Sequence, residues 1–144
     1  MSYVKNYEII EHTADIGIRL KAADLKQLFR NAALAMFDII AEKRPKTKDQ
    51  RPKTQKISIK QRADNLEELF VNWLNELLSL AAIKELIFSD FQIKKLQENN
   101  LEVVAIGEGI KNYRVNTEIK AATYHQLKLE KINSYWQAEV IFDV

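Results

Sequence analysis

The stretch IGIRLKAADLKQLFRNAALAMFDII, residues 16–40, changes its hydrophobic period part-way along. Ile16, Ile18 and Leu20 alternate with Gly17 and Arg19, the spacing of a strand with one buried face. From Leu25 the apolar positions are Leu25, Leu28, Phe29, Ala32, Ala33, Met36, Phe37 and Ile40. They fall three or four apart, so they share one face of a helix that must meet a core. Asp24 stands where an N-cap belongs, and Gln27 three residues on completes a capping box. A strand therefore feeds almost directly into an amphipathic helix.

The same pattern returns further along. Lys56–Arg62 reads as a strand with Ile57 and Ile59 on one side, and a second helix begins after Asp64, with Glu67 as its capping partner. Its apolar face runs through Leu66, Leu69, Phe70, Trp73, Leu74, Leu77, Leu78 and Ala81. At an offset of 41 residues, Ile16, Ile18, Ala22, Leu25, Leu28, Phe29 and Asn31 fall on Ile57, Ile59, Ala63, Leu66, Leu69, Phe70 and Asn72. This is either a decayed internal duplication or two similar solutions to packing a helix on a sheet. Before the first unit, Tyr7–Ile10 forms a short strand across the loop Glu11–Asp15. After the second, Leu86–Leu96 and Leu101–Gly107 flank the turn Glu98-Asn99-Asn100, and Gly107-Glu108-Gly109 reads as a turn at a strand end. Val115–Glu130 alternates over a long stretch, placing Ile119, Ala121, Thr123, His125, Leu127 and Leu129 on one face. Beyond Asn133-Ser134 a last strand carries Trp136, Ala138, Val140 and Phe142 on one face. The expected class is α+β, two helices packed on a mostly antiparallel sheet.

The 144 residues suit one domain spanning 1–144, long enough to bury a core without staples. With 47% apolar and 29% charged residues the composition is that of a soluble globular protein. There is no cysteine, which excludes disulfides, thiolate catalysis and Cys-built zinc sites. No signal peptide and no membrane-length apolar run is visible, so the expected compartment is the cytoplasm, with no membrane partner. A net charge of +2 is too mild to require nucleic acid. The charge is uneven, however: KRPKTKDQRPKTQK, residues 43–56, holds seven basic residues, one acid and both prolines of the chain. It reads as an exposed loop, either merely solvated or offering Lys46, Lys48, Arg51 and Lys53 to RNA phosphates or an acidic partner.

Some polar residues are not explained by periodicity. Glu11-His12-Thr13-Ala14-Asp15 is squeezed between two strands. Glu11 and Asp15 are hard oxygen donors for a cation, or else Thr13 and Asp15 cap amides of the turn. At the other extremity, if Phe142 faces the core, Asp143 faces away, next to the terminal carboxylate of Val144. Adjacent carboxylates repel unless a cation neutralises them, and Ca²⁺, Mg²⁺ or Mn²⁺ suits such donors; the competing reading is a frayed chain end. Lys120 is available to a carboxylate or phosphate, and His125 lies with the apolar set as a core histidine or a ligand. Asn75 and Glu76 fall off the apolar stripe of the second helix and read as helix surface or a sheet-edge contact. No GxxxxGK[ST], GxGxxG, HExxH or GxSxG pattern occurs, so no nucleotide site or hydrolytic nucleophile of its own is visible. A hydrolase built on Asp15, Asp143 and His125 would lack any nameable oxyanion device.

Taken together, EHTADIGIRL (11–20), LxxLFxNAAxAMFDII (25–40), WLNELL (73–78), GE (107–108), EIKAATYH (118–125) and the ending VIFDV resemble the archease family in kind and order. The resemblance runs over nearly the whole chain. It departs at Ala22-Ala23, where the family pattern has a glycine, and in a short loop Gly109–Arg114. It implies an accessory protein, not an enzyme, which promotes guanylylation and multiple turnover of an RtcB-type RNA ligase in tRNA splicing and RNA repair. The GTP chemistry belongs to the ligase, and tRNA or other RNA is met through it. It also implies a divalent-metal site built from Asp15, Asp143 and Val144; Glu11, His12, Lys120 and His125 are candidates for its edge or for a partner contact. The alternative is an RNA-binding or chaperone-like module acting through the basic loop 43–56.

Overall fold

A computed structural model describes residues 6–11, 15–45 and 53–144. In chain order the elements are β1 (Tyr7–Glu11), β2 (Asp15–Ala22), α1 (Leu25–Ile40), β3 (Ala41–Lys43), β4 (Thr54–Arg62) and α2 (Leu66–Lys84). They continue with β5 (Leu86–Gln97), β6 (Asn100–Gly109), β7 (Tyr113–Val115), β8 (Ala121–Ile132) and β9 (Tyr135–Asp143). The class is α+β, as expected. The strands are shared among a four-stranded sheet ordered β1-β2-β9-β8, a three-stranded sheet ordered β4-β6-β5 and a β3-β7 ribbon. Every one of these pairings is antiparallel.

The switch of period at residues 20–25 is where β2 hands over to α1. Asp24 has extended backbone, and its carboxylate accepts the Gln27 N–H at 2.9 Å. The second cap is Asn65, not Asp64: Asn65 is the extended residue, and its side chain accepts the Glu68 N–H at 2.8 Å. The 41-residue offset carries Asp24 onto Asn65, so both helices start at equivalent positions. The equivalent rings Phe29 and Phe70 then meet edge to face at 5.1 Å, and the buried Trp73 indole N–H donates to the Phe29 carbonyl at 3.0 Å. Helix α1 packs on β5 of one sheet and on β2 and β9 of the other, while α2 reaches β8, β5 and β4. One core therefore runs between the sheets, with Ile18, Phe29, Met36, Phe70, Trp73, Phe88 and Phe142 among its fully buried side chains.

The single long strand expected over Val115–Glu130 is not formed. Tyr113–Val115 pairs with β3, and residues 116–120 belong to no strand; there the Asn116 and Thr117 amides donate to the Ile40 carbonyl. Within β8, Thr123 faces Ile141 and Lys128 faces Glu139, so residues 124–127 stand against Val140 alone. Gln126 takes a left-handed φ of 52° in this bulge. The faces shift accordingly: Ala122 is buried beside Phe142, whereas His125 is exposed and not part of the core. Gly107 and Glu108 also lie inside β6, not in a turn. Glu108 is only 4% exposed and binds Lys43 Nζ at 3.0 Å. Among the described residues, no helix is long and apolar enough to cross a membrane.

Candidate metal centre

The inner face of the four-stranded sheet is set by hydrophobic register. Ile16 pairs with Phe142, Ile18 with Val140 and Leu20 with Ala138, and most of these side chains are buried. Strand pleating then puts the odd-numbered residues of β2 and β9 on the outer face. The last pair of the ladder is Asp15 opposite Asp143, with Ala121 of β8 on the other side of Asp143. Residues directly opposite in an antiparallel pair hold their Cβ atoms about 4.5–5.5 Å apart. Asp15 and Asp143 therefore stand side by side at this end of the sheet. Asp143 is exposed and Asp15 half-buried. Val144 follows at once and packs its side chain against the core, so this end of β9 is held down. The Lys120 amide donates to the Asp143 carbonyl at 2.8 Å.

Like charges directly opposite each other destabilise a sheet by up to about 1 kcal/mol. Among the described residues, no lysine or arginine is ion-paired with Asp15 or Asp143. Among the described residues there is also no group of three His, Cys, Asp or Glu side chains that could hold a metal. Main-chain oxygens beside the pair, such as the Asp143 carbonyl, are further donors of the same hard kind. The donors present, two carboxylates with main-chain oxygens beside them, are hard ligands of the kind that suits Ca²⁺, Mg²⁺ or Mn²⁺, and the neighbouring Ala121 methyl crowds them little.

Other expected site residues are dispersed. Glu11 ends β1 opposite Ile16, one position from Asp15. Lys120 is exposed and immediately precedes Ala121. His125 lies in the bulge of β8, toward Glu139 and away from Asp143. His12 lies outside the described residues, as do Lys46, Lys48 and Arg51; Lys53 is exposed just before β4. A contact left open by the sequence is Asn75. Its carboxamide accepts the Ala122 N–H at 2.8 Å and donates to the Ala122 carbonyl at 3.0 Å.

Four residues back along β9, toward the other end of the same outer face, an acid is neutralised from within. Glu139 lies between Arg19, at 2.5 Å, and Lys128, at 3.3 Å, and Arg19 also reaches Glu8 at 3.3 Å. Burial pushes the Glu139 carboxyl up, but the hydrogen bonds from Arg19 and Lys128 outweigh it and leave the group below the ordinary glutamate range. Between the two ends Ile10 and Ile141 close over Gly17.

Residues 7–144 match the model of the Archease protein family (MTH1598/TM1083). The chain belongs to the archease family. It is 38% identical to the protein archease of Methanosarcina mazei over 152 residues, covering 97% of each chain. It is 34% identical to that of Pyrococcus abyssi, covering 98% of this chain and the whole of the relative. Its fold is similar to the solution structure of protein 1598 of Methanobacterium thermoautotrophicum, with a TM-score of 0.72, 28% identity, and coverage of 98% of this chain and 100% of that one. A crystal structure of an archease from Thermotoga maritima, described as a possible chaperone, shares the fold with a TM-score of 0.67 at 24% identity over 94% of each chain. In this archease the start of β2, the start of β8 and the end of β9 meet at the Asp15–Asp143 pair.

Proposed function

We propose that this archease is a metal-binding accessory protein which promotes guanylylation and multiple turnover of an RtcB-type RNA ligase, in the cytoplasm, during tRNA splicing and RNA repair. It is not itself an enzyme in this reading. Asp15, Asp143 and the main-chain oxygens of Val144 are the metal ligands, with Lys120 beside them and Glu11 and His12 as candidates for the edge. A divalent cation, Ca²⁺, Mg²⁺ or Mn²⁺, supplies the positive charge that the pair lacks. The chain's own part is to hold two carboxylates in register on a rigid sheet, so that a compact, ordered patch is presented to the ligase. RNA and GTP are handled by the ligase.

The observation that supports this reading is the register that sets Asp15 against Asp143 with no ion-paired lysine or arginine among the described residues. The test is a ligation assay with limiting ligase, run with the unaltered protein and with Asp15→Ala. The variant is expected to remain folded by circular dichroism and to lose its stimulation of ligase turnover. Full stimulation by a folded Asp15→Ala protein would end the proposal.

A further inference from the structure

The start of β8 is a weak piece of sheet. Only Ala121, Ala122 and Thr123 pair with β9 there, opposite Asp143, Phe142 and Ile141. Residues 116–120 on one side of this island form no strand, and residues 124–127 on the other side bulge away from the ladder. β8 is also the edge of its sheet. An edge run of three residues between two irregular segments has little of its own to keep it in place. Yet this run flanks Asp143, and Lys120, which donates to the Asp143 carbonyl, leads into it.

Asn75, on α2, compensates for this. Its carboxamide meets both the N–H and the C=O of Ala122, at 2.8 and 3.0 Å. It supplies the donor and the acceptor that an additional strand would have offered at that position. A half-buried amide with both functions satisfied fixes its own rotamer as well as the strand it holds. Thr123 secures the far end of the island by donating its hydroxyl to the Ile141 carbonyl at 2.8 Å.

We infer that Asn75 is a positioning residue for the carboxylate pair: by clamping Ala122 from the core helix it holds the Lys120–Thr123 run against Asp143, so that the cation site keeps its shape. This rests on the metal-binding reading above. Asn75 touches neither carboxylate; its effect passes through the backbone of β8. The geometry also separates it from a residue needed only for stability, because the Glu139 cluster supports the same β8–β9 pair further along without lying near Asp143.

The experiment is a calorimetric Ca²⁺ titration of the whole protein and of Asn75→Ala, Asn75→Asp and Glu139→Gln. It is joined to amide hydrogen exchange at Lys120 and Ala122 in metal-free samples. Asn75→Ala is expected to bind Ca²⁺ about tenfold more weakly, the range found when a group behind a metal ligand is removed. Its Lys120 and Ala122 amides should exchange faster while α2 and β9 keep their protection. Asn75→Asp keeps an acceptor for the Ala122 N–H but loses the donor to its carbonyl, so it should weaken binding as well. Glu139→Gln should bind as the unaltered protein does, even where it melts earlier. Equal Ca²⁺ affinity in the unaltered protein and both Asn75 variants would overturn the inference and leave the metal reading standing. No Ca²⁺ binding by the unaltered protein, with Mg²⁺ and Mn²⁺ equally inert, would remove the metal reading and this inference with it.

Discussion

Two ends of one sheet face solve the same electrostatic problem differently. At one end Glu139 is nearly buried, at 13% side-chain exposure, and the protein surrounds it with Arg19 and Lys128 from the two neighbouring strands. At the other, Asp143 has a carboxylate on one neighbouring strand, Asp15, and a methyl group on the other, Ala121. The strands are the same three, β2, β9 and β8, and the positions are four residues apart along β9. So the sheet can place cations beside an acid on this face, and among the described residues none is ion-paired at Asp15–Asp143. A self-neutralised cluster behaves as a clip between strands. An opposed pair of acids is a standing cost unless something outside the chain removes it.

Deleting the charge at the open end tests this asymmetry most directly. Asp15→Asn keeps the size and hydrogen-bonding reach of the side chain but leaves Asp143 unopposed. Its Ca²⁺ affinity is expected to fall by more than the ~10–100-fold that losing a group behind a ligand costs. The stability response should separate the two proteins further. With Ca²⁺ at a hundredfold excess over its dissociation constant, the unaltered protein gains about 2.7 kcal/mol, which chelation removes; Asp15→Asn gains almost nothing. In chelator the order reverses, and Asp15→Asn melts slightly higher because the repulsion is gone. Thermal melts with and without EDTA check both statements. A chelator-dependent shift as large in Asp15→Asn as in the unaltered protein would make the two ends equivalent.

The next effect belongs to the neutralised end. The folded protein holds Glu139 ionised to lower pH than the unfolded chain does. Unfolding in acid therefore takes up a proton there. The stabilisation from this group is complete above the ordinary glutamate range and is lost as the pH falls through the lowered value. Glu139→Gln removes that dependence. It should melt a few degrees lower than the unaltered protein at neutral pH, the order expected of a single partly screened ion cluster. The gap should narrow as the pH is lowered below 4. Melting temperatures recorded from pH 7 to 3 decide it; a gap that stays constant with pH would mean that Glu139 acts only through packing.

How much of this was legible in the chain follows from what periodicity can carry. The β2–α1 handover and the Asp24 cap were readable, because alternation, helical spacing and a capping side chain agree within ten residues. The outward aim of Asp143 followed from Phe142 facing inward. Its pairing with Asp15 did not follow, since which strands neighbour one another is decided by packing across the whole core. An Asp64 cap falls one residue early because Asp64 and Asn65 are both good caps, and only the backbone separates them. His125 was assigned to the wrong face because an alternating pattern cannot register an insertion, and the bulge over residues 124–127 reverses the parity. For Asn75 the pattern offers helix surface or a sheet-edge contact, and it cannot choose between them. The partner of Asn75 is a backbone amide 47 positions away, which leaves no mark in side-chain pattern.

The smallest predicted effect lies between the two ends. A Cβ built on Gly17 would stand 3.2 Å from the Ile10 carbonyl oxygen, 3.3 Å from the Ile10 Cβ and 3.5 Å from Ile141 Cγ1. The glycine is needed for this close approach, not for an unusual backbone angle, since its φ is not positive. Gly17→Ala asks β1 to move by a few tenths of an ångström, so the expected loss of stability is about 1 kcal/mol, at the low end for overpacking. β1 is an edge strand and can yield, whereas Ile141 is pinned between β2 and β8. The displacement should therefore open the β1–β2 pair and leave Asp15 facing Asp143. Hydrogen exchange should quicken at Ile10 and Glu11, with Ca²⁺ affinity changed less than threefold. A larger loss of affinity would show that the Ile10–Ile141 contact over Gly17 couples the two ends, and that the open pair and the closed cluster are one device.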